Sequence, residues 1–124
     1  ARSEERAGKA LVMTAANKGD YRRREPRLKG ENFDRNLRIL DAVKAVAVAR
    51  GVSPSQLALA WLLHQGNDIV PIPGTKRRRW LEENAAAADI QLSADELTSL
   101  NTIAPVGAAA GLRYEAPMME WIDR

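Results

Sequence analysis

The sequence predicts a mostly helical α/β chain with one short strand. Three observations lead there. The apolar residues are dominated by Ala and Leu, with only three Trp, two Tyr and one Phe, a bias toward helix over sheet. Apolar residues recur at helical spacing after Asn32, and capping boxes precede two later apolar runs. A single β-branched run, about residues 68–72 in "NDIVPIPG", lies between Asn-Asp and Pro-Gly turn signals. At 124 residues the chain is one domain or part of one.

The elements follow in order. Within residues 1–30, "SEERAGKALVM" reads as a short helix capped by Ser3, and "ANKGDY" as a turn. "RRREPRLKG" contains Pro26 and has no apolar period, so it reads as a loop. Phe33, Leu37, Leu40, Val43 and Ala47 then mark one face of a helix that should stop at Gly51. Ser53, Pro54 and Gln56 start the next helix as N-cap, first residue and capping-box partner. That helix is apolar nearly all round, which implies burial on most sides, and Gly66 should end it. In the strand, Pro71 removes one ladder donor, which suits an edge or a strand end. A helix over Arg77–Ala88 follows. The last strong one has Ser93 and Glu96 as a capping box, Leu92 against Leu97 as a hydrophobic staple, and Pro105 beyond its end. Residues 105–124 read as a loop with a short helical end. One buried strand cannot satisfy its own backbone, and the chain supplies no obvious neighbour for it.

Composition excludes several chemistries. Without cysteine there is no disulfide, thiolate nucleophile or thiolate metal site. One histidine, His64, rules out a His-rich metal centre. No apolar stretch approaches the roughly 20 residues that span a bilayer, and the N-terminal residues carry no signal-peptide pattern. A reducing, cytoplasmic setting is compatible with this. The net charge of +3 is gathered in "YRRREPRLKG" and "KRRR", which favours local anion sites over wholesale nucleic-acid binding.

The run Lys76, Arg77, Arg78 and Arg79 sits where a helix begins. A helix start carries partial positive charge, so cations there are unfavourable unless an anion joins them. Other candidates have plainer readings. His64 closes an apolar helix and reads as structural. Asp95 and Glu96 resemble a carboxylate pair but belong to a first helical turn. Tyr21 with Arg22–Arg24 reads as a solvated loop, Trp61 as core, and Trp80 as either packing or a stacking surface.

The segment "IVPIPGTKRRRWLEENAAAADIQLSADEL" resembles the C-terminal part of the aldo/keto reductases. The likeness extends back through "RGVSPSQLALAWLL", "GENFDRNLRILDAV" and "YRRREPRLKG", over roughly residues 21–113. The resemblance implies an NADP(H)-dependent oxidoreductase that interconverts carbonyls and alcohols, and a C-terminal fragment of a (β/α)8 TIM barrel. Residues 1–30 would be a poorly matched segment and loop. Residues 31–104 would hold the last barrel helices, the final strand and the cofactor-phosphate loop, with 105–124 as a tail. By the same resemblance the adenosine 2′-phosphate would meet Gly74, Thr75 and Lys76. Trp80, Glu83 and Asn84 would lie beside the adenine. The family's catalytic Asp, Tyr, Lys and His lie earlier in the barrel, so no catalytic residue and no metal ligand is expected here, and the chain alone should be inactive. Complete barrels usually need about 250 residues. The partners implied are a missing barrel half or a second copy meeting exposed apolar faces, with no membrane or nucleic acid. The alternative is a non-enzymatic basic helical module that binds nucleic acid or an acidic partner.

Overall fold

A computed structural model describes residues 21–122; the helix expected after Ser3 and most of the turn "ANKGDY" lie outside them. The described residues contain five α-helices: α1 (Gly30–Arg50), α2 (Pro54–Leu63), α3 (Arg78–Ala85), α4 (Ala94–Ile103) and α5 (Ala116–Met119). Short 3₁₀ turns occupy Tyr21–Arg24, Pro26–Leu28 and Ala86–Asp89. The stretch read as a loop, "RRREPRLKG", is thus largely two 3₁₀ turns. The chain divides into two compact units, one of them Ala42–Ile103 and the other made from residues on either side of it.

In the unit that joins residues 21–41 with 104–122, Asn36 of α1 is the fastener. Its amide nitrogen donates to the carbonyls of Arg27 (2.9 Å) and Ala110 (3.0 Å), and its oxygen accepts from the Ala110 N–H (2.7 Å). Arg27 Nε reaches the Gly111 carbonyl at 3.3 Å. Gly111 has φ +90°, and a Cβ there would stand 2.8 Å from Asn32 Nδ2 and 3.0 Å from the Pro26 carbonyl oxygen. Only glycine suits both the conformation and the space.

In the Ala42–Ile103 unit the core is small. Ala47 of α1, Leu57 and Ala60 of α2, and Leu92 and Leu100 around α4 are buried together. Val43, Val46, Val52, Trp61, Ile90 and Leu97 pack against them. Among the described residues, Leu57 is the largest side chain fully withdrawn from water, a burial that contributes about 1.5–3 kcal/mol. The helix ends explain how these residues are aimed. α1 stops at Gly51 (φ +67°) as expected. Gly51 N–H bonds to Val48 O and Val52 N–H to Ala47 O, a Schellman closure that sends Val52 back onto the core. Both capping boxes form. Ser53 Oγ accepts from Gln56 N–H while Gln56 Oε1 accepts from Ser53 N–H. Ser93 and Glu96 do the same at α4, where Leu92 is buried and Leu97 joins the core.

Three expectations need correction. The strand at residues 68–72 does not form, and the described residues contain no strand at all. Residues 69–75 run without regular structure, with Val70 78% and Ile72 93% exposed. A strand exists only through its neighbours, and the described residues provide none. Next, α2 ends at Leu63, ahead of Gly66. His64 Nδ1 lies 2.7 Å from the Ala60 carbonyl and Gln65 Nε2 donates to Trp61 O at 3.0 Å, so side chains satisfy the last turn early. Finally, α2 is not buried on most sides. Leu57 and Ala60 are buried, whereas Ala58 and Leu63 are exposed. The helix expected over Arg77–Ala88 is present in two pieces, α3 and the 3₁₀ turn after it.

Candidate anion-binding site

Everything singled out between Gly74 and Asn84 lies within the Ala42–Ile103 unit, at α3 and the loop before it. Gly74 is exposed in that loop, and a Cβ on it would meet nothing within 4 Å. Thr75 folds the loop into the helix. Its hydroxyl accepts from Arg77 N–H (3.3 Å) and donates to Arg77 O (3.2 Å). Arg77 is the N-cap, extended (φ −129°, ψ 133°) and without a side-chain capping bond. Trp80 and Leu81 N–H both return to its carbonyl, at 3.0 and 3.1 Å. The amides of Arg78 and Arg79 belong to the first turn, where an α-helix offers no intrahelical acceptor.

The charge pattern of α3 runs against its dipole. Lys76, Arg77, Arg78 and Arg79 are exposed at its N-terminal end, no acidic residue lies in the first turn, and Glu82 and Glu83 come only later. Each misplaced charge costs about 0.3–1 kcal/mol at low ionic strength. An anion seated on the free amides reverses that sign, since both the dipole and the side chains then face opposite charge. Arg79 is partly engaged already, with its guanidinium carbon 4.8 Å from the centroid of the half-buried Trp80 ring.

Trp80, Glu83 and Asn84 share one face of α3, three and four residues apart. Glu83 is half-buried and held from α2: its Oε1 accepts from Ser53 Oγ at 2.7 Å, and its carbonyl accepts from Gln56 Nε2 at 3.0 Å. Asn84 is half-buried beside it, with no hydrogen bond to its carboxamide among the described residues. The anchoring by Ser53 and Gln56 is what sequence reasoning missed. It recognised both residues only as a capping box, and their reach to Glu83 spans 30 and 27 positions, for which no local pattern exists.

The remaining candidates are structural in their contacts. His64 is held through both ring nitrogens: the Ala60 carbonyl can only accept, so Nδ1 donates, and Leu92 N–H donates to Nε2 at 3.3 Å. Trp61 packs on the core and bonds Asn101 Oδ1 through Nε1 at 2.8 Å. Glu96 caps α4 and pairs with Arg50 at 2.8 Å. Its carboxyl is held below the usual range, first by the Ser93 backbone N–H and, more weakly, by the Ser93 hydroxyl and Arg50, against an opposing desolvation. Among the described residues no three His, Asp or Glu side chains converge as metal ligands, and no single helix is long and apolar enough to cross a membrane.

Comparison with known proteins gives a consistent result. The sequence profile of the aldo/keto reductase family matches residues 7–105, so the likeness begins ahead of residue 21. A Schizosaccharomyces pombe protein named "Aldo-keto reductase yakc [NADP(+)]" is 44% identical over 96 residues, covering 77% of this chain and 28% of that protein. A Glycine max protein named "Probable aldo-keto reductase 1" is 37% identical over 107 residues, 86% of this chain and 31% of that one. The chain therefore spans less than a third of the length of these two relatives. No solved structure matches it.

Proposed function

The chain belongs to the aldo/keto reductase family, and on that premise we propose that it carries the adenosine 2′-phosphate end of an NADP(H) site. Lys76 and the first-turn amides of α3 receive the phosphate. Gly74 leaves room for its approach, and Thr75 sets the loop that presents it. Trp80, Glu83 and Asn84 form the face along which adenine lies. The nicotinamide supplies hydride for carbonyl–alcohol interconversion, with reacting groups contributed from outside the residues named here. The role of this segment is affinity and the choice of NADP over NAD. One observation carries the reading: four exposed cations crowd a helix start whose first-turn amides have no intrahelical acceptor and which has no acid in its first turn, an arrangement that a bound anion stabilises.

Adenosine 2′,5′-bisphosphate tests this, because it presents the adenosine end without nicotinamide. Titration followed by the amide signals of Arg78 and Arg79 should show it binding about tenfold more tightly than AMP, as expected for one added set of charge-assisted hydrogen bonds. Salt should weaken the preference, and Lys76→Ala should reduce it. Equal binding of the two nucleotides would reject the proposal. A salt-dependent shift with DNA and none with the bisphosphate would point instead to the basic-module alternative.

A further inference from the structure

We infer that Ser53, at the cap of the neighbouring helix, is a positioning residue for adenine recognition through Glu83. This rests on the reading of the start of α3 as a dinucleotide site. The Ser53 hydroxyl serves two helices at once. As acceptor it caps α2 through Gln56 N–H (3.1 Å), and as donor it holds Glu83 Oε1 at 2.7 Å. Gln56 repeats the pattern, closing the capping box with its oxygen and gripping the Glu83 carbonyl with its nitrogen. Glu83 is thereby fixed in backbone and side chain from the same two residues.

Fixing Oε1 has a consequence for Oε2. A carboxylate accepts hydrogen bonds only, so the donor on Oε1 ties the group to α2 and leaves the second oxygen available to a donor from outside. Oε2 has no hydrogen bond among the described residues, and it is the oxygen this inference assigns to the base, beside Trp80 and Asn84 at neighbouring positions of α3. Glu83 stands five residues beyond Arg78, about 7.5 Å along the axis from the anion-binding turn. A base whose sugar phosphate is seated at that turn would lie along this face. An exocyclic amino group suits a fixed carboxylate oxygen, and a carbonyl repels it. Adenine carries the amino group at that position; hypoxanthine carries a carbonyl.

Ser53→Gly isolates the effect. Glycine at an N-cap costs a helix only a few tenths of a kcal/mol relative to serine, so α2 keeps its start while Glu83 loses its donor. The wild-type chain should bind adenosine 2′,5′-bisphosphate about fivefold more tightly than inosine 2′,5′-bisphosphate, the ratio expected for one net hydrogen bond. In Ser53→Gly that ratio should fall close to one, while the preference for bisphosphate over AMP persists. Ser53→Thr, which keeps the hydroxyl, should restore the base preference. A Ser53→Gly protein that retains the fivefold ratio overturns the inference. So does one that loses base and phosphate preferences together, since that marks a general structural defect, and so does a wild type indifferent to the base. A wild type that binds bisphosphate and AMP equally fails the dinucleotide reading itself, a result distinct from the other three.

Discussion

Arg77→Asp should make the chain more stable and less able to hold an anion. Arg77 is the N-cap of α3, exposed, with no side-chain capping bond. Aspartate is among the best N-caps and should gain about 1 kcal/mol by accepting from a first-turn amide. The substitution also exchanges an unfavourable charge for a favourable one. At about 0.3–1 kcal/mol for each half of that exchange, the swing contributes roughly another 1 kcal/mol at low salt. The total is about 2 kcal/mol. With a urea dependence of about 1–3 kcal/mol/M, the midpoint of unfolding should rise by roughly 1 M. The electrostatic half should fade in 0.5 M NaCl, where screening acts within a few ångströms, and the capping half should remain. Binding of adenosine 2′,5′-bisphosphate should weaken in parallel, because the new carboxylate occupies the amides the phosphate needs. Urea titrations at two salt concentrations, monitored by circular dichroism, measure the first effect, and nucleotide titration the second. An unchanged or lowered midpoint would refute the electrostatic account of α3. A raised midpoint with undiminished nucleotide affinity would refute the placement of the anion.

Two further outcomes follow from the packing. Leu57→Ala removes the largest fully buried side chain among the described residues and should cost about 2–5 kcal/mol, seen as a large fall in the urea midpoint. The acid limb of stability should depend on Glu96. Its carboxyl is depressed in the folded state, so its contribution is present above the unfolded carboxyl range and is lost as pH falls through the folded value. Glu96→Gln should flatten the decline in midpoint between neutral pH and the acid range, and an unchanged slope would contradict that linkage.

Local chemistry was legible in the sequence; chemistry that needs a partner was not. Ser53 with Gln56 and Ser93 with Glu96 declare their capping boxes because all the atoms lie within one turn. Gly51 likewise declares the end of α1, where a left-handed residue is required. The run at residues 68–72 has the composition of a strand, but a strand is a relation between segments, and composition states only one side of it. The same limit hid the pairing of Ser53 with Glu83 and of Asn36 with Ala110. The basic cluster was visible as charge. Its geometry, with Thr75 closing the loop onto Arg77, came only with the fold.

The irregular stretch from Ile69 to Thr75 carries features that bear on self-association. Ile69, Val70 and Ile72 are uncharged, β-branched and open to water, the makeup of a segment that recruits copies of itself into cross-β stacks. Pro71 and Pro73 alternate with them. Each lacks the N–H that an incoming strand would use, and each fixes its own φ, so a growing ladder loses two of its rungs within three residues. The cationic run that begins at Lys76 adds mutual repulsion between stacked copies. Sequence features first noticed as an imperfect strand and a misplaced charge cluster thus have the makeup of gatekeepers, residues that oppose strand-on-strand stacking of an exposed apolar segment.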